Sequence, residues 1–212
     1  MTLYDYGQYE ELFADKRSGE ALQKLRIVSR ETGIRHYLVG GGAAYLWSEN
    51  PPEDEPDFDF FLDATAEEAD RFVRKLTKRG FALVSRPSIE GDDAFFMLDY
   101  KGVQFDLFTN QEQREEIRKG MEIRKIHVEP IECLIIEKLI RATYEDLLMA
   151  ADLLMTDRYN PEILWEAARE RILAIQLSKV KRIADHLVSG KLTRATAKLM
   201  LRRMARKEGL EA

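Results

Sequence analysis

The sequence predicts an α+β protein, a mixed β-sheet flanked by helices and followed by an all-helical C-terminal region. Between positions 34 and 128, short apolar and β-branched runs alternate with glycine and proline turns around one charged amphipathic helix. From Pro130 onward the apolar spacing is helical throughout. The 212 residues are 45% hydrophobic and 33% charged, which is globular composition. That length suits a first domain at 1–128, including an N-terminal helix, and a helical region at 129–212.

Residues 8–32 space Leu12, Leu22, Leu25 and Val28 among charges at helical intervals, with Ser18-Gly19 a candidate break and Gly33 a candidate stop. Ile34 to Val39 is a strand candidate, followed by a turn at Gly40-Gly41-Gly42 and a helix from Ala43. Three prolines between Asn50 and Pro56 fix φ and remove donors, so a loop precedes the strand Asp57 to Leu62. Residues 66–79 form an amphipathic helix that stops at Gly80. Phe81 to Ser85, Ala94 to Asp99 and Val103 to Phe108 are further strands, the last two joined by a turn at Tyr100-Lys101-Gly102. Met121 to Val128 reads as one more short strand, and Pro130 as a first helical residue. Downstream, breaks fall near Ala142-Thr143, Asn160-Pro161 and Ser189-Gly190. The last helix, from Thr193, has an apolar side of Ala195, Leu199 and Met204 and a basic side of Arg194, Lys198, Arg202 and Arg206.

No run approaches the roughly 18 to 20 apolar residues of a membrane span, and the first residues lack a signal-peptide pattern. A cytoplasmic protein is the expectation. Cys133 is the only cysteine, which excludes an intramolecular disulfide and a multi-cysteine zinc site, and it reads as a small buried hydrophobe. His36, His127 and His186 lie far apart and read as structural. The net charge of -5 is uneven: residues 158–212 carry 13 Lys/Arg against 6 Asp/Glu. Solvated helix faces with i,i+4 ion pairs explain that excess, and a surface for a polyanion such as RNA is the functional alternative.

The chemistry lies in the carboxylates. In an extended strand Asp57 and Asp59 share one face, about 6.6 Å apart, with Phe58, Phe60 and Leu62 on the other. The same parity sets Asp106 and Gln104 opposite Val103, Phe105 and Leu107. If both strands bury their aromatic faces in one core, three carboxylates share a polar surface. Such a cluster raises its own pKa values unless a hard cation compensates, and two magnesium ions about 3.5 to 4 Å apart suit it. A calcium loop is excluded, because Phe61 and Leu62 occupy its required acidic and glycine positions. Asp-x-Asp at a strand end also arises without function. Gly40, Gly41 and Gly42 let the backbone approach a phosphate at a helix start, or make a tight turn with close packing. They are neither a P-loop nor a dinucleotide fingerprint.

Leu38-Val39-Gly40-Gly41-Gly42-Ala43, then Asp57-Phe58-Asp59-Phe60, then Phe105-Asp106-Leu107 resembles the nucleotidyltransferase superfamily that includes DNA polymerase beta. Within it the chain looks closest to bacterial proteins of the AbiEii toxin type and their small relatives. The resemblance implies a nucleotidyltransferase fold and magnesium-dependent transfer of a nucleoside monophosphate from a nucleoside triphosphate to an acceptor hydroxyl on tRNA, protein or a small molecule. Asp57, Asp59 and Asp106 would hold the metal, and Gly40, Gly41 and Gly42 the triphosphate. Glu137-Lys138-Leu139 and Tyr144-Glu145-Asp146 match the subgroup's downstream motif, which implies that Lys138 contacts phosphates and Asp146 supports the site. By its residues alone Lys138 also suits a snorkelling lysine paired with Glu137 or Glu145. The chain departs from the pattern at Glu53-Asp54-Glu55, where relatives carry Arg-x-Thr, and at Met149, where they carry Asp. These departures motivate an alternative: an inactive nucleotide-binding or scaffold protein of the same fold, with an antitoxin as possible partner.

Overall fold

The computed structural model describes residues 16–48, 58–85, 88–123 and 126–207. These fall into two units by their packing, one of residues 16–42 and 58–129, the other of 43–48 and 130–207. The first unit holds α1 (Lys16–Thr32), β1 (His36–Val39), the start of α2 (Gly40–Ser48), β2 (Phe58–Leu62), α3 (Ala66–Thr77), β3 (Ala82–Leu83) and β4 (Ser88–Glu90). β5 (Asp93–Tyr100), β6 (Val103–Thr109), α4 (Arg114–Ile117), β7 (Met121–Ile123) and β8 (Ile126–Val128) complete it. The strands form a mixed sheet in the order β3-β5-β6-β2-β1-β8-β7, with β4 also on β5. β2 runs parallel to β6 and β1 parallel to β8, and the other pairs are antiparallel.

Local chemistry explains most of these elements. α3 opens with a capping box, Thr65 accepting from the Glu68 N–H while the Glu68 carboxylate accepts from the Thr65 N–H. It buries Ala66, Ala69, Phe72, Val73 and Leu76, one helical stripe. The β5–β6 hairpin closes on Lys101-Gly102, both at positive φ (55° and 87°), as a two-residue primed turn requires. Asp99 Oδ1 accepts from the Gly102 N–H at 3.2 Å.

Several expectations change. Ser18-Gly19 lies inside α1 without a break. Met121 to Val128 is an antiparallel hairpin instead of one strand; no glycine, proline or asparagine marks the reversal. β4 and α4 are additional to the elements the sequence predicts.

The sheet carries its main core on one face. There Phe58 stacks on Phe105 at 5.0 Å, and Leu38, Phe60, Leu62, Phe96, Leu98 and Leu107 are fully buried. Each such side chain contributes about 1.5–3 kcal/mol. The opposite face is not acidic along its whole length, as strand parity alone suggested. Tyr37, Val39, Phe61 and Ile117 are buried together there, with Phe108 packed against them. The reason is α4, which covers that end and is tied down through Asp63. Arg35 Nη2 (3.1 Å), Arg114 Nε (2.8 Å) and Arg118 Nη2 (2.7 Å) converge on its carboxylate. Burial pushes the Asp63 carboxyl up, but the Arg118 and Arg114 guanidiniums more than reverse this and leave it below its ordinary value.

The second unit contains the rest of α2 with α5 (Ile131–Arg141), α6 (Tyr144–Met155), α7 (Pro161–Glu170), α8 (Ala174–Val188) and α9 (Arg194–Lys207). Thr143 caps α6 and Asn160 caps α7, with Pro161 in its first turn, where these residue types are favoured. α9 buries Ala197, Leu201 and Ala205, while Leu199 is 58% exposed. The expected apolar side is thus displaced to Ala197, Leu201 and Ala205, which recur every four residues along one helix face. Cys133 is half-buried rather than buried. No helix among the described residues is long and apolar enough to cross a membrane.

The break between α7 and α8 has no glycine or proline. Ile172 adopts φ 60° and is 92% exposed, while Leu173 N–H reaches back to Ala168 O at 2.7 Å. This is the helix-ending position usually held by glycine. A left-handed conformation costs an L-residue roughly 1–2 kcal/mol. Ile172→Gly is therefore expected to raise stability by about 0.5–1 kcal/mol after the entropy of glycine is counted. A urea denaturation midpoint checks this.

Candidate functional site

The two described carboxylates of the expected triad come together through strand register. β2 pairs with β6 so that Asp59 is the direct partner of Asp106 and Phe58 of Phe105. β1 places Val39 opposite Asp59, and β5 places Met97 opposite Asp106. One row across four strands thus reads Val39, Asp59, Asp106, Met97, with both carboxylates half-buried on one face. Asp106 Oδ1 also accepts from Gln104 Nε2 at 3.2 Å. Asp57 and the Glu53-Asp54-Glu55 segment lie outside the described residues, among which no group of three or more His, Cys, Asp or Glu forms a metal site.

The glycine run is part of α2 rather than a separate turn, with strand passing directly into helix. Gly40 has φ 63°, and a Cβ there would lie 2.5 Å from Asp59 Oδ2. Its Cα therefore forms the wall against which that carboxylate rests. A Cβ on Gly42 would press on Leu38 at 3.1 Å, whereas at Gly41 it would meet nothing within 4 Å. The Gly40 N–H is not offered outward; it donates to Glu129 Oε1 at 3.0 Å. Glu129 is fully buried, and sequence reasoning missed it. The available signal was a carboxylate closing the apolar run of β8 immediately before Pro130.

Lys138 and Asp146 lie in the second unit, both 3% exposed. Lys138 Nζ meets Asp146 Oδ1 at 3.0 Å, so its partner is neither Glu137 nor Glu145. Arg141 Nη2 reaches Oδ1 at 2.9 Å and Thr143 Oγ1 donates to Oδ2 at 2.7 Å. Burial pushes Asp146 up, but the bonds from Arg141 and Thr143 and the charge of Lys138 hold it below its ordinary value. Two cations on one carboxylate leave this cluster with a surplus positive charge. On α9, Arg194 pairs with Asp152 at 2.8 Å and Arg202 lies 4.6 Å from the Tyr144 ring, so part of the basic side is engaged within the unit.

His36 and His127 pack against aromatic rings, Phe60 and Tyr37 respectively, each at 5.5 Å. Burial above all, with the Arg26 guanidinium nearby, pushes His36 down to about 3.

No protein-family model matches the chain, and no curated protein matches it. Among solved structures it is similar to JHP933 from Helicobacter pylori, at 15% identity and TM-score 0.49 over 99% of this chain and 95% of that one. It is also similar to an antigenic nucleotidyltransferase-like protein from Paracoccidioides brasiliensis, at 15% identity and TM-score 0.48 over 76% and 91% of the two chains. A third is the antibiotic-resistance factor ANT(2'')-Ia, at 13% identity and TM-score 0.44 over 89% and 91%. Likenesses this distant assign no reaction, metal or acceptor.

Gly40→Ala tests the wall directly. The new methyl group meets Asp59 and the backbone stays at positive φ, so a stability loss of about 1–2 kcal/mol is expected. Gly41→Ala, with open space and ordinary φ, is expected to change stability by less than about 0.5 kcal/mol. Thermal or urea unfolding of the two variants measures the difference.

Proposed function

We propose that the chain is a magnesium-dependent nucleotidyltransferase. In the reaction, an acceptor hydroxyl oxygen attacks the α-phosphorus of a nucleoside triphosphate. The bond from that phosphorus to the oxygen bridging to the β-phosphate breaks, pyrophosphate leaves with that oxygen, and the hydroxyl proton passes to solvent water. The observation that carries this proposal is the direct pairing of Asp59 with Asp106 beside the Gly40 wall.

Paired carboxylate oxygens on one face fit a hard divalent cation. Asp57, Asp59 and Asp106 are the proposed ligands. Bound magnesium would neutralise phosphate charge and orient the attacking and leaving oxygens. Gly41 and Gly42 are proposed to lie along the triphosphate at the start of α2, where backbone N–H groups and the helix dipole favour anions. Gly40 contributes through its shape, since its N–H is directed to Glu129. Lys138, held by Asp146 and supplemented by Arg141, is the proposed phosphate-binding cation of the helical unit.

We assign the transfer chemistry to residues 1–128 and a supporting role to 129–212. The chain would act in the cytoplasm, where nucleoside triphosphates are supplied. An RNA acceptor, such as a tRNA end, would use basic side chains of the C-terminal helices. The AbiEii-type relationship, with an antitoxin partner, belongs to the same proposal.

Purified protein with magnesium, each of the four α-labelled nucleoside triphosphates, and total tRNA, protein or small hydroxyl acceptors tests the proposal. Label transfer is expected, falling at least about 100-fold in Asp59→Asn and Asp106→Asn. Nucleotide binding without transfer to any acceptor class would instead identify a nucleotide-binding protein that does not turn over.

A further inference from the structure

We propose that Glu129 is a positioning residue for the Asp59 carboxylate, acting through the Gly40 backbone; this rests on the metal-site proposal above. Glu129 is fully buried. A carboxylate there is costly unless hydrogen-bonded, and Glu129 is bonded in a specific place. Its Oε1 accepts from the Gly40 N–H at 3.0 Å, and its own N–H donates to Leu38 O at 3.1 Å. One residue thus grips the chain on both sides of Val39, where β1 ends and α2 begins.

That junction is the part of the backbone that touches Asp59. Gly40 is held at φ 63° with its Cα against Asp59 Oδ2, so close that a Cβ would come within 2.5 Å. Rotation of the Gly40 peptide would move this wall and release the carboxylate. The hydrogen bond from the Gly40 N–H to Glu129 Oε1 opposes the rotation, because breaking it would leave a buried donor and acceptor unpaired. Being buried, Glu129 does not reach a ligand. Its effect passes through Gly40 to Asp59, as outer partners orient the ligands of metal sites.

The experiment uses the full chain, isotopically labelled, as wild type, Glu129→Gln, Glu129→Ala and Glu129→Met. NMR reads the Gly40 amide and the Asp59 side-chain carboxyl carbon, and calorimetry reads Mn2+ affinity. In Glu129→Ala, Gly40 amide exchange is expected to quicken roughly tenfold. The Asp59 carboxyl signal is expected to shift, and Mn2+ affinity to fall about tenfold or more. Glu129→Gln retains an oxygen acceptor for the Gly40 N–H, so it is expected to restore the Asp59 signal and most of the affinity. Glu129→Met fills the volume without an acceptor and serves if the alanine variant does not fold; it is expected to behave as Glu129→Ala. An unchanged Asp59 signal in a folded Ala or Met variant would overturn the positioning role, as would Gln behaving like Ala. Wild type that binds no Mn2+ would overturn the metal-site proposal instead, while the Asp59 signal still decides the role of Glu129.

Discussion

Parallel pairing of β2 with β6 sets Asp59 against Asp106, and nearly everything proposed for this chain depends on that register. Side chains alternate along a strand, so a slip of one residue would turn Phe58 and Phe60 onto the polar face and the aspartates into the core. The Phe58–Phe105 stack and the fully buried Phe60 and Leu107 make that slip costly. Core packing therefore fixes the carboxylates without touching them. At the other end of the same face, Phe61, Tyr37 and Ile117 close a small apolar cluster.

The glycine run at the start of α2 sits where two demands meet on the same atoms. A helix start presents N–H groups to anions, yet the first N–H of α2 is committed to Glu129. Gly40 is consequently shaped by its missing side chain, which leaves room for Asp59, whereas a Cβ on Gly41 would meet nothing within 4 Å. In the helical unit the same economy appears at Asp146, whose single carboxylate serves Lys138, Arg141 and the Thr143 cap.

Strand parity made the Asp59 and Asp106 faces legible from the sequence, because period-two alternation with aromatics is a strong local signal. Pro130, Asn160-Pro161 and Ala142-Thr143 marked helix boundaries for the same local reason. What the sequence concealed depends on distant partners. α4 owes its place to Arg114 and Arg118 meeting Asp63 across long separations, and Glu129 acquires meaning only beside Gly40. The Ile172 break was invisible because its residue type argues against the conformation it adopts. The partner of Lys138 is eight positions away, beyond the neighbours that helical spacing suggests.

Paramagnetic NMR with Mn2+ tests the central claim most directly. If Asp59 and Asp106 hold a divalent ion beside Gly40, substoichiometric Mn2+ will first broaden the amide signals of Gly40, Asp59 and Asp106, and the Asp59→Asn protein will lose that effect. Broadening that appears equally at the exposed carboxylates of α3, or persists unchanged in Asp59→Asn, would contradict it.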